Sequence, residues 1–176
     1  MKKNYYKIFI EFLKSHNLYN EEAMKYLQEK GTFFDYLEEE NRDYIGCFFA
    51  IDANKKLKKI ILCVPYIKDE ETLIINIHEY THALLYYKYL GKRISLKNDI
   101  EILPMMYEKL YIEESKSNTG KRYIEFLNSK ITKNSELKYR IALQVQQDML
   151  EYYKYEKEPE KLQIKAKKLT KKYKAQ

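Results

Sequence analysis

Two histidines lie four residues apart in the segment Ile77-His78-Glu79-Tyr80-Thr81-His82-Ala83, which has the pattern H-E-x-x-H. Residues four apart on an α-helix project from the same face, so both imidazoles can bind one metal ion. Glu79 stands beside them and can act as a general base toward a metal-activated water. Histidine occurs only three times in the 176 residues, and the surrounding run is apolar and compatible with a helix. The pattern therefore predicts the site of a zinc hydrolase.

A catalytic zinc has three protein ligands and one open position, so His78 and His82 need a third partner. The remaining histidine, His16, lies in the first predicted helix and is interpreted as an ordinary surface or helix-end residue. No histidine follows His82, which excludes the metzincin pattern H-E-x-x-H-x-x-G-x-x-H. A carboxylate is therefore required as the third ligand.

The next predicted helix offers two carboxylates, Glu101 and Glu108, seven residues apart and so on one side of a helix. Glu101 follows His82 by 19 residues, which is enough chain to end the motif helix, reverse direction and bring a second helix beside it. Glu101 could instead complete a capping box with Asn98. Ligation is favoured because a histidine pair without a third ligand has no use. Glu108 could orient a ligand histidine, replace Glu101 as the ligand, or be a surface charge.

An H-E-x-x-H helix followed by a glutamate-bearing helix resembles the gluzincin arrangement. Within it, the segment Glu101-Ile-Leu-Pro-Met-Met-Tyr-Glu108 is similar to the second-helix signature of the thimet and oligopeptidase F family. This resemblance covers about residues 77 to 108 and implies that Glu101 is the third zinc ligand. The sequence departs from the family at Thr81, where glycine is usual, and no histidine follows His82 to match the family's downstream transition-state donor.

These features predict a small zinc-dependent metallopeptidase that acts on a peptide or protein. Glu79 would take a proton from the water that attacks the carbonyl, and return it to the leaving amine. A tyrosine hydroxyl could stabilise the tetrahedral intermediate, and the candidates lie on a long late helix: Tyr139, Tyr152 and Tyr153. An edge strand at Ile60 to Val64 could pair with an extended substrate.

Two alternative functions stay open. One is a protease of a regulatory or toxin system that cleaves a single protein partner. The other is a non-catalytic or regulatory metal-binding module whose basic tail docks an acidic partner or nucleic acid.

The composition favours a helical fold, because four Gly and three Pro are too few for the many tight turns of an all-β protein. Two β-rich segments, Tyr44 to Ile51 and Lys59 to Pro65, flank a polar turn and predict a β-hairpin that places Cys47 opposite Cys63. Two buried thiols are expected there rather than a disulfide. The predicted fold is α+β and mostly helical, with a small β-hairpin or sheet packed beside the H-E-x-x-H helix in a zincin-like core.

Apolar spacing and capping residues predict the helices. They are expected at Tyr5 to about Leu18, Asn20 to Gly31, about Asp69 to Leu90, Ile102 to about Ser115, around Tyr123 to Leu127, Ser135 to Tyr153, and from Pro159 onward, with a short further segment at Phe33 to about Glu39.

The formal charge of +7 is concentrated at the C-terminal end, where Lys157 to Gln176 contains eight Lys and two Glu, or +6. A solvated, lysine-rich final helix is favoured over a contact with nucleic acid or an anionic membrane. The run Ile8 to Lys14 is interrupted by charges, and no run approaches the roughly 18 apolar residues of a membrane span. We therefore expect a cytoplasmic protein without a membrane partner, with one domain over residues 1–156 and a basic helix or tail over 157–176. The sequence makes no prediction of oligomeric state.

Overall fold

The computed structural model describes residues 3–21, 23–24, 32–34, 47–53, 56–88, 101–133 and 135–174. Side chains of the strands, Val64 excepted, and of residues 86–88 lie outside this description. The chain divides into two compact units, Met1–Ile94 and Ser95–Gln176. The elements in chain order are α1 (Tyr5–Ser15), β1 (Thr32–Phe34), β2 (Cys47–Ala53), β3 (Lys56–Pro65), α2 (Glu70–Lys88), α3 (Ile102–Ser115), α4 (Asn118–Ser129), α5 (Leu137–Tyr153) and α6 (Pro159–Lys174).

Helix α1 ends at Ser15, earlier than the sequence predicts, because the chain reverses immediately after it. Asn17 has a φ of 58°, in the left-handed region that a short polar side chain tolerates. The Leu18 amide then donates to the Leu13 carbonyl at 2.8 Å, as in a Schellman-type helix end. The turn buries Leu18.

Strand β3 is the middle strand of a three-stranded sheet with the order β1-β3-β2. β1 runs parallel to it, and β2 runs antiparallel to it with Cys47 opposite Cys63. Helix α2 contacts β2 and β3. The prediction that Ile60 to Val64 forms an edge strand is therefore wrong, because β1 covers the Cys63–Pro65 end on one side and β2 pairs along the other. An extended substrate cannot add to that end of β3.

In the described residues of the second unit, all regular secondary structure is helical. Helix α3 contacts α4, α5 and α6, and α5 contacts α6. Helix α4 begins at Asn118, before the predicted start, because the Ser117 side chain caps it by accepting from the Gly120 amide at 3.1 Å. Helix α6 begins at Pro159 as predicted, and it buries Leu162 and Ala166. The basic C-terminal helix therefore contributes to the core of this unit.

The predicted fold class needs correction. An α+β protein was expected, with a hairpin or sheet built into one zincin-like core, whereas the core that the structure describes is helical. All described buried apolar side chains lie on helical residues except Leu18 and Val64, and the second unit contains no strand among its described residues. The physical reason is that most of the apolar sequence has helical spacing, so that helices supply nearly all of the core that the structure describes.

Several predicted boundaries lie outside the described residues, among them Gly31, Leu90 and Asn98. Across the described ranges, no helix combines the length and the apolar character needed to cross a membrane.

Candidate metal centre

The helix that carries the H-E-x-x-H motif has a well-formed beginning. Asp69 accepts from the Thr72 amide at 2.9 Å, and the Asp69 amide donates to the Thr72 hydroxyl at 3.1 Å. This reciprocal pair satisfies amides that have no partner within the helix. Glu70 and Glu71 add negative charge to the first turn, where the helix dipole favours it. These contacts fix where α2 starts, and hence which residues of the motif face each direction.

Helix α2 is buried on nearly every side around the motif. From Thr72 to Leu85 every side chain is buried except that of His78, which is half-buried. A helix with apolar residues all round belongs to an interior, which agrees with the run of buried residues on both sides of the motif. His78 is therefore the point at which solvent reaches the motif.

Tyr80, in the middle of the motif, holds α2 against the first helix. Its hydroxyl donates to the Leu18 carbonyl at 3.1 Å and accepts from the Asn20 amide at 3.1 Å. Its ring packs edge to face on Phe9, with 5.9 Å between ring centroids. Burial raises the pKa of Tyr80 to about 12, although the Asn20 hydrogen bond acts in the opposite direction. The hydroxyl therefore stays protonated and remains a donor at neutral pH.

The two motif histidines point their Nε2 atoms at one another. These atoms are 3.1 Å apart, and the rings meet at 70° with 4.9 Å between centroids. Two nitrogen lone pairs repel at this distance unless a positive centre lies between them. A shared proton or a metal ion can fill that role.

Glu101 adds a carboxylate to the histidine pair. One ligand atom each from His78, His82 and Glu101 lies within 4.8 Å of the other two, and His82 and Glu101 are buried. This group could hold a metal ion. Glu101 is the N-cap residue of α3, yet its side chain makes no capping hydrogen bond.

The Glu101 carboxylate also contacts a cation from another helix of its unit. Lys138 Nζ lies 3.2 Å from Glu101 Oε1, and the side chain of Glu101 is 5% exposed. Burial lowers the pKa of Lys138, but the adjacent Glu101 carboxylate more than offsets that effect, so the pKa is raised. Lys138 is therefore fully charged at neutral pH.

The other carboxylates of the prediction are buried as well. Glu79 follows His78 on α2 and is 8% exposed, while Glu108 lies two turns along α3 from Glu101 and is 6% exposed. The candidate metal-binding group described above contains neither of them. The burial of Glu108 removes the interpretation of this residue as a surface charge.

The three candidate tyrosines have different surroundings. Tyr153 is buried, and its ring meets that of Tyr107 edge to face at 5.9 Å. Burial, with a smaller contribution from the charge of Glu114, raises the pKa of Tyr153 to about 12. Tyr139 and Tyr152 are half-buried. Lysine ammonium groups lie over both of these rings, Lys138 over Tyr139 at 4.7 Å and Lys165 over Tyr152 at 5.1 Å.

His16 is a helix-end residue, as predicted, but it is buried rather than on the surface. It caps the C-terminus of α1 and packs on Phe12 with 4.4 Å between ring centroids. It is not part of the candidate metal-binding group found among the described residues.

Sequence reasoning missed Lys138 and Gln146, both on α5. The Gln146 amide donates to the Met105 carbonyl of α3 at 2.7 Å and is buried. A glutamine among the apolar inner positions of α5 was the available signal for this contact. Lys138 carries no such signal, because its role depends on which helix packs beside it.

Comparisons with protein-family models, with curated proteins and with solved structures found no match to the chain.

Proposed function

We propose that the protein is a zinc-dependent metallopeptidase, with His78, His82 and Glu101 as metal ligands and Glu79 as the general base. The observation that carries this proposal is the proximity of the three ligand atoms, within 4.8 Å of one another. The order of the ligands along the chain, two histidines on one helix and a glutamate at the start of the next, is that of a gluzincin. This supports the resemblance of residues 77 to 108 to the thimet and oligopeptidase F family.

The residues present fit a zinc ion. Two neutral imidazoles and one carboxylate are a common ligand set for catalytic zinc. Tetrahedral zinc with bonds of about 2.0–2.1 Å separates its ligand atoms by about 3.3 Å. The His78 and His82 nitrogen atoms, at 3.1 Å, already have nearly this separation. His78 is half-buried, so water and substrate can reach the site from its side.

Bound zinc would supply Lewis acidity, polarising the substrate carbonyl and making a water molecule acidic at neutral pH. Glu79 would accept the proton that this water loses as its oxygen bonds to the carbonyl carbon. When the carbon–nitrogen bond breaks, Glu79 returns the proton to the leaving amine. The products are a carboxylate and an amine, and Glu79 regains its charge.

Burial supports this role for Glu79. A carboxylate that is 8% exposed is shielded from bulk water, which strengthens its interaction with a nearby proton donor. Each of Tyr139, Tyr152 and Tyr153 stays a candidate for the donor that stabilises the tetrahedral intermediate. The alternative of a protease that cleaves one protein partner uses the same site and differs only in substrate range.

Hydrolysis by wild type and by the Glu79→Gln variant tests the proposal. We expect chelation to abolish wild-type cleavage of a mixed peptide library, and readdition of zinc to restore it. Glu79→Gln should bind one zinc per chain and cleave at least about a hundredfold more slowly, because general base catalysis contributes about 10²–10⁴-fold. Glu71→Gln, an exposed glutamate on the same helix, is the matched control.

Wild-type rates in Glu79→Gln would contradict the mechanism. If wild type cleaves no library peptide, the same pair of proteins is added to cell lysate. A protein fragment produced by wild type and absent with Glu79→Gln identifies a protease with one partner. No cleavage in either assay would refute the peptidase proposal.

A second candidate, docking of an acidic partner, is favoured by a groove between α5 and α6. The groove has a volume of about 530 Å³ and combines lysines with exposed aromatic surface. It is lined by Asp148, Glu151, Tyr152, Tyr155, Lys165, Lys168, Leu169 and Lys172. An acidic peptide can place its carboxylates opposite the lysines, whereas the two acidic residues on the α5 wall interrupt the continuous basic surface that a phosphate backbone needs. An acidic peptide therefore fits this groove better than nucleic acid does.

A further inference from the structure

The ion pair between Lys138 and Glu101 is largely buried. The exposed fraction is 25% for the Lys138 side chain and 5% for that of Glu101. A carboxylate buried to this degree is costly unless a cation or hydrogen-bond donors compensate its charge. Lys138 supplies such a cation.

Three neighbours hold the Lys138 ammonium group in place. It contacts Glu101 Oε1 at 3.2 Å and Glu136 Oε2 at 3.8 Å, and it lies 4.7 Å from the centroid of the Tyr139 ring. Gln146, on the same helix, donates to the Met105 carbonyl at 2.7 Å and ties α5 to α3. Lys138 therefore meets Glu101 from a fixed helix rather than from a flexible loop.

We propose that Lys138 is a positioning residue that occupies one oxygen of the Glu101 carboxylate and so makes Glu101 a metal ligand through its other oxygen alone. This inference rests on the proposed function, because it assigns Lys138 a role at the same metal site.

Two consequences follow from electrostatics. First, a carboxylate that shares its charge with an ammonium group donates less to a metal, which leaves the metal a stronger Lewis acid. Second, a one-oxygen ligand suits four-coordinate zinc, whereas calcium prefers sites with carboxylates that can use both oxygens. Lys138 would thus tune the site toward zinc.

Removal of the Lys138 charge should therefore tighten metal binding. Glu101 would lose its buried counter-ion, the repulsion between ammonium and dication would vanish, and both carboxylate oxygens would become accessible to the metal. A lysine that serves only as a structural link predicts the opposite, because loss of an orienting partner typically weakens metal affinity about 10–100-fold.

The test uses the full-length chain with Lys138→Met, which keeps the length of the side chain, and Lys138→Arg, which keeps its charge. Lys109→Met is the matched control, because Lys109 also links α3 to α5, through Gln147 at 3.4 Å, without contacting Glu101. Zinc affinity is measured by competition with a chromogenic chelator, and coordination number by the visible absorption of the cobalt-loaded protein.

We expect the zinc dissociation constant to fall at least about tenfold in Lys138→Met, because residues that contact a metal ligand commonly change metal affinity by about this factor. The cobalt absorption should weaken in this variant, as the metal gains a fifth ligand atom. Lys138→Arg and Lys109→Met should both keep the wild-type spectrum. If Lys138→Met does not fold, Lys138→Gln removes the charge while keeping a hydrogen-bond donor, and it should show the same tightening.

Unchanged or weaker zinc binding in the charge-removing variants, with the wild-type cobalt spectrum, would overturn the role of Lys138 and leave the metal site intact. Failure of wild type to bind either zinc or cobalt would overturn the proposed function itself, and the role of Lys138 with it.

Discussion

The hydroxyl of Tyr80 is the point at which the motif helix is fastened to the first helix, and Tyr80→Phe removes it with little change in shape. The Leu18 carbonyl loses a buried donor and the Asn20 amide loses a part-buried acceptor. A buried group left without its partner costs about 1–3 kcal/mol, and a hydrogen bond whose partner can recruit water is worth about 1 kcal/mol. The free energy of unfolding should therefore fall by about 2–4 kcal/mol.

Urea unfolding followed by far-ultraviolet circular dichroism measures this change. The midpoint should fall without a change in slope, because the substitution exposes no additional surface. Tyr155→Phe is the control, since Tyr155 is 87% exposed and its substitution should change stability by less than about 0.5 kcal/mol. Zinc stoichiometry should stay the same in both variants, because neither hydroxyl belongs to the proposed metal site.

A loss below about 0.5 kcal/mol in Tyr80→Phe would refute this reasoning, because surface substitutions alone reach that size. It would mean that the Tyr80 hydroxyl does not fasten α2 to the turn after α1.

Three further predictions concern two buried side chains of the second unit and the groove between α5 and α6. Gln146→Leu should lower the free energy of unfolding by about 1 kcal/mol in urea titrations, through loss of the bond to the Met105 carbonyl, whereas exposed Gln147→Leu should not. Because the pKa of Tyr153 is about 12 when folded and about 10 when unfolded, its contribution to stability is complete below about pH 10 and lost as the pH rises toward 12. Stability should consequently fall less steeply over that range in Tyr153→Phe, and an equal slope would contradict the burial argument. Replacing Lys165, Lys168 and Lys172 together by glutamine should reduce binding of poly-glutamate measured by fluorescence anisotropy, without changing that of an oligonucleotide; a smaller salt dependence of oligonucleotide binding in this variant would instead support a nucleic-acid site.

The helices were the most predictable part of the molecule, because apolar spacing and capping residues are local signals. The bounds Ile102–Ser115 and the start at Pro159 are those that the sequence indicates. Ser135 was expected to cap α5, but Glu136 is the N-cap residue and the Ser135 hydroxyl accepts from the Thr132 amide. A capping residue that has a competing nearby amide cannot be assigned from spacing alone.

The arrangement of elements was less predictable, because it depends on contacts between distant residues. Strand β3 was expected at an edge, and the parallel pairing of Thr32–Phe34 makes it the middle strand. Sequence patterns identify strands but do not show which strand lies between two others. The predicted fold class was wrong for the same reason: sequence patterns identified the elements but did not show that the described core is helical.

The candidate site contains residues that local sequence patterns predict and a contact between distant residues that they do not. Helical spacing brings His78 and His82 together on one face, and the requirement for a third ligand selects Glu101. The contact of Lys138 with Glu101 was not predicted, because it joins α5 to α3 and no local pattern records that packing. Assignment of one tyrosine as the donor also needs a substrate position, which sequence spacing does not provide.

The central claim is that His78, His82 and Glu101 hold one metal ion, and a zinc titration of the metal-free protein tests it most directly. Wild type should bind one zinc per chain. Glu101→Gln should bind zinc at least about tenfold more weakly, because loss of a residue that merely orients a metal ligand already weakens metal affinity by about that factor. Glu108→Gln changes the other buried glutamate of α3. Its zinc affinity should stay within about threefold of wild type, a smaller change than the loss of a ligand-orienting residue causes. Equal affinities for Glu101→Gln and wild type, or a loss in Glu108→Gln alone, would contradict the account.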